Sequence, residues 1–104
     1  MNKIPKPFSD FVKSHPEIAD AYEKLSGECR ESGPLVQRDR LLVKLGIAIG
    51  SGIEGSIRSQ VRKALDAGIS REEIRHAFLL SIVTVGFPKM MVGWTAVDDI
   101  LKDD

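Results

Sequence analysis

The chain has 104 residues, enough for one domain. Its 42% apolar and 29% charged residues mark a globular protein, because disorder needs low hydrophobicity with a large net charge. Fifteen basic residues balance fifteen acidic ones, which leaves no overall field to draw the chain to nucleic acid or to an anionic membrane.

In chain order, the punctuation predicts helices throughout. Met1 to Pro7 holds no apolar stretch of the kind found in a signal peptide. Pro5 and Pro7 predict an extended arm, and Ser9 can cap a short turn through Lys13. Pro16 suits the first position of a helix, with Ile18, Ala21, Tyr22 and Leu25 as its apolar stripe. Gly33-Pro34 ends that helix, since glycine accepts the left-handed conformation and proline cannot continue a helix.

A second helix is predicted over 36–50. Leu41, Leu42, Leu45 and Ile49 make it apolar on most sides, and Gly46 and Ala48 allow a neighbour to approach closely. Gly50-Ser51-Gly52 breaks it. A third helix over 54–67 turns Ile57, Val61, Ala64 and Leu65 inward and Arg58, Arg62 and Lys63 outward, and Gly68 ends it.

Ser70-Arg71-Glu72-Glu73 is a capping box, so a fourth helix is predicted over 71–85. Ile74, Ala77, Phe78, Ser81, Ile82 and Val85 form one stripe, while Leu79, Leu80 and Val83 fill the other side. A helix apolar all round is buried all round. A chain this short keeps much of its surface wet, so part of this helix is expected to face another subunit. The longest apolar run, 77–87, is about half of the ~20 residues a membrane helix needs. After Gly86-Phe87-Pro88 a last helix is predicted over 89–101. The expectation is an all-α bundle of about five helices, soluble and cytoplasmic.

Candidate chemistry is sparse. The single cysteine, Cys29, excludes an intramolecular disulfide, a dithiol couple and a cysteine-rich zinc site. His15 precedes Pro16 in a turn, and His76 has only Glu72 at helical spacing, more a solvated i,i+4 contact than a ligand pair. The outline of a DNA-binding helix-turn-helix exists around Gly68, but the following helix offers mostly Phe78, Leu79, Leu80, Ile82 and Val83 where base-reading needs polar side chains. An ordinary helical hairpin is the better reading. The start of the third helix differs: Ser56, Ser59, Gln60 and Lys63 share a face, with Arg58 and Arg62 beside them. Free amides and cations pointing one way suit a carboxylate or phosphate; a capped helix with a solvated basic side is the alternative.

Three segments carry a family likeness. Leu42-Val43-Lys44-Leu45-Gly46-Ile47-Ala48-Ile49-Gly50, then Ser59-Gln60-Val61-Arg62-Lys63-Ala64-Leu65-Asp66-Ala67-Gly68-Ile69-Ser70-Arg71-Glu72-Glu73-Ile74, then Phe87-Pro88, resemble the carboxymuconolactone decarboxylase family, which includes the alkylhydroperoxidase-D-like proteins. The resemblance is strongest over 42–101 and implies one such domain over 1–104, with an alkylhydroperoxidase-D-like helical fold. Peroxidatic members begin the third helix with Cys-x-x-Cys, followed one turn later by a histidine, with a glutamate upstream. In that register Ile53 and Ser56 stand at the cysteine positions, Gln60 at the histidine and Leu41 at the glutamate.

Thiolate attack on peroxide needs a nucleophilic sulfur and a resolving partner, so the resemblance implies a degenerate active site without dithiol peroxidase activity. The decarboxylase branch dispenses with the cysteines but carries a histidine where Gln60 stands. Gln60 can orient a carbonyl or carboxylate without acting as an acid or base, and Glu54 is a substitute carboxylate.

The leading expectation is a small anion bound by Ser56, Arg58, Gln60 and Arg62, with no metal, cofactor, nucleic acid or membrane partner. Alternatives are a cofactor-free enzyme on a small lactone or carboxylate, with Glu54 and Gln60 as candidate catalytic residues, and a non-catalytic oligomeric scaffold. Self-association as a trimer or hexamer through the apolar fourth helix is expected.

Overall fold

A computed structural model describes residues 5–102. Its helices are α1 (Lys6–Ser14), α2 (Pro16–Glu31), α3 (Gln37–Ser51), α4 (Glu54–Asp66), α5 (Arg71–Val85), α6 (Phe87–Ala96) and α7 (Asp98–Leu101). Among the described residues there is no strand, as the all-α reading requires, but there are seven helices where about five were expected.

The extra helix at the start has a local cause. Pro5 takes the N-cap position of α1 and Pro7 falls in its first turn, where a missing N–H goes unnoticed and a fixed φ fits. The helix therefore starts ahead of Ser9, which lies inside it instead of capping it. At the other end the predicted helix over 89–101 begins earlier, at Phe87, and breaks at Val97 (φ −114°, ψ 9°). Asp98 and Asp99 then open α7, in the first turn that the helix dipole favours for acids.

Backbone contacts divide the chain into a unit ending at Leu35 and a unit beginning at Val36. In the first, α1 packs on α2, and neither helix buries a single residue. Phe11 stacks on the His15 ring at 5.1 Å, and the apolar side chains Phe8, Ile18, Tyr22 and Leu25 all stay exposed.

The second unit holds the core. Leu45 and Ile49 from α3, Ile57, Val61 and Ala64 from α4, Ile74 and Phe78 from α5, Met90 from α6 and Leu101 from α7 are buried together. The i, i+3, i+4, i+7 spacing of 57, 61 and 64, and of 74, 78 and 81, puts each set on one helical face. Gly86 separates α5 from α6 with φ 103° and ψ 153°, a conformation open essentially to glycine alone.

The capping box forms as the sequence predicts. Glu73 N–H donates to Ser70 Oγ at 3.1 Å and Ser70 N–H donates to Glu73 Oε1 at 3.0 Å. The other Glu73 oxygen accepts from Arg38 on α3. The Ser70 amide, and next the Arg38 guanidinium, hold the Glu73 carboxyl below the ordinary glutamate range. One side chain thus caps α5 and ties its start to the start of α3.

The fourth predicted helix matches α5 in its bounds but is not buried all round. Ile74, Phe78 and Ser81 are buried, whereas Leu79, Leu80 and Val83 face outward. Within one chain, α3 and α6 cover only one side of it.

Candidate functional site

The start of α4 is shaped by the break before it. Ser51 Oγ donates to the Ala48 carbonyl at 2.6 Å and accepts from Ile53 N–H at 3.1 Å, while Gly52 turns the chain with φ 71°. Ile53 at the N-cap is extended and supplies no side-chain cap. The first amides of α4 therefore lack the oxygen that Ser70 gives α5.

Along α4 the anchored residues Ile57, Val61 and Ala64 fix where the others stand. Glu54 and Lys63 are exposed, and Ser56, Arg58, Ser59, Gln60 and Arg62 are half-buried. The Gln60 Oε1 atom is buried and has no hydrogen-bond partner, an arrangement that buried polar atoms seldom show.

Arg58 does not stand as a solvated cation. Its Nη1 donates to the Ala96 carbonyl at 2.6 Å and to Asp99 Oδ1 at 2.8 Å, and its Nη2 donates to Asp99 Oδ2 at 3.1 Å. The guanidinium thus satisfies a carbonyl at the end of α6 and forks onto the first turn of α7, bracketing the break at Val97. Its hydrogen bonds to Asp99 raise the Arg58 pKa above the usual arginine value despite partial burial, and Arg58 in turn lowers that of Asp99.

The sequence view of Arg58 as an outward, solvated cation is corrected here. A hydrogen bond from a charged donor contributes about 1.5–3 kcal/mol when shielded, and partial exposure discounts that. Arg58→Ala should lose about 1 kcal/mol and melt roughly 4–8 °C lower, whereas Arg58→Lys, which keeps the charge without the fork, should lose less. An unchanged melting temperature in Arg58→Ala would show that the clamp does not hold α7.

One cation near this point escaped the sequence reading. The Nζ and Cδ atoms of Lys89, from the first turn of α6, each lie 3.2 Å from where a Cβ on Gly52 would stand. The ammonium therefore rests against the C-terminal end of α3, which a positive charge stabilises, beside the start of α4. No periodicity links Lys89 to Gly52; only the packing of α6 does.

A concavity of the second unit lies elsewhere. A trough of about 580 Å³ runs between α3 and α5, lined by residues including Leu42, Gly46, Ile47, Ala77, Leu80 and Ser81, with none from α4. Its hydroxyls turn away: Ser81 Oγ donates to the Phe78 carbonyl at 2.6 Å and Thr84 Oγ1 to the Leu80 carbonyl at 2.8 Å. Glu73 and His76 supply polarity at one end. His15 and Cys29 belong to the first unit; the His15 Nδ1 meets Ser14 Oγ at 3.1 Å, and Cys29 is exposed. Among the described residues no group of three or more His, Cys, Asp or Glu side chains is placed to hold a metal ion, and no helix is long and apolar enough to cross a membrane.

Comparison with known proteins decides the family. The model of the carboxymuconolactone decarboxylase family matches residues 16–99. The chain belongs to the carboxymuconolactone decarboxylase family. It is also similar to an uncharacterized protein of Methanocaldococcus jannaschii, 24% identical over 101 residues, which are 96% of this chain and 94% of that one. No solved structure matches the chain. The family match takes in α2 through the first turn of α7, and so includes the uncapped start of α4, the Arg58 clamp and the α3–α5 trough.

Proposed function

We propose that this member of the carboxymuconolactone decarboxylase family is a self-assembling, non-redox binding module, not a dithiol peroxidase. The observation that carries the reading is the uncovered apolar face of α3 and α5: Ile47 is 66% exposed, Leu80 56% and Val83 85%. Covering one such side chain stabilises by roughly 1.5–3 kcal/mol, and monomers seldom leave a broad apolar patch open to water. The absence of thiols at Ile53 and Ser56, and Gln60 at the histidine position, support the non-redox half.

A small anion at the start of α4 is a second reading, favoured by the uncapped amides. Ser56, Gln60 and Arg62 remain its residues, Lys89 joins them, and Arg58 contributes less because Asp99 already matches its charge. A lactone or carboxylate enzyme would draw on the same place with Glu54 as its acid or base.

Sedimentation at micromolar concentration tests the assembly. An oligomer of at least three subunits is expected, and a clean monomer would overturn the proposal. Peroxide consumption driven by a dithiol reductant should equal the protein-free blank, before and after Cys29→Ser; turnover that depends on Cys29 would overturn the non-redox half. Calorimetric heat on titrating sulfate, phosphate or small carboxylates, weakened in Lys89→Ala, would establish the anion site.

A further inference from the structure

We draw no further inference here: the strongest candidate, the apolar trough between α3 and α5 with Glu73 and His76 at one end, belongs to the face whose self-assembly is already proposed, and nothing in the structure shows what covers it.

Discussion

Phe78→Ala should lower the melting temperature by about 15–30 °C, the largest effect expected of any single change here. Phe78 is fully buried among core residues of α3, α4, α5 and α6. Its ring meets Trp94 edge-on, with centroids 6.1 Å apart and planes at 89°, an arrangement favoured by the ring quadrupoles. Truncating a buried phenylalanine removes its transfer free energy and leaves a cavity, together about 3–5 kcal/mol. A domain of this size has a total stability of only about 5–10 kcal/mol, and each kcal/mol lost shifts melting by roughly 4–8 °C.

Trp94 reports the change independently. It sits between the Phe78 edge and the Arg75 guanidinium, whose carbon is 4.8 Å from the ring centroid. Its emission should move to the red as one wall of its site is lost. Melting is to be followed at fixed protein concentration, because self-association raises apparent stability. A shift below about 5 °C would show that Phe78 is not the centre of the core.

Gly93→Ala should destabilise as well, by about 1–3 kcal/mol, through crowding instead of a void. A Cβ at Gly93 would lie 2.8 Å from the Phe78 ring and 3.3 Å from Ile57 Cδ1. The isoleucine tip can rotate away, but the ring is held by the core and by Trp94, so α6 must shift. Alanine gains up to about 1 kcal/mol of helix propensity over glycine, which offsets only part of the overpacking.

Gly55→Ala supplies the contrast. It too lies within a helix, and nothing approaches within 4 Å of its absent Cβ. Propensity alone then acts, and Gly55→Ala should raise the melting temperature slightly. If both alanines shift melting in the same direction, close approach at Gly93 is not what that glycine serves.

The local elements were legible in the sequence because their signals act within a single turn of helix. Ser70 and Glu73 are three residues apart, and their reciprocal bonds start α5 where the pattern put it. The Gly50-Ser51-Gly52 break, the Ala67-Gly68 turn and Gly86 likewise act on their immediate neighbours, and α3, α4 and α5 end within a residue or so of the predicted bounds. The family too was legible, because its likeness rests on the order and spacing of those same elements.

Contacts across the fold decided the rest. Arg58 looked like one more solvated cation until α6 and α7 placed Ala96 and Asp99 against it, at sequence separations of 38 and 41. The break at Val97 belongs to the same contact, so no periodicity in 89–101 could announce it. Lys89 reaches Gly52 only because α6 packs beside the end of α3. Apolar residues all round α5 could not say which of them a neighbouring helix covers; the packing of α3 and α6 leaves Leu79, Leu80 and Val83 exposed. Helix propensity and capping depend on residues a turn apart, which the chain order fixes. A guanidinium's partner, or the open side of an apolar helix, depends on which distant surfaces meet, and only the folded chain brings those together.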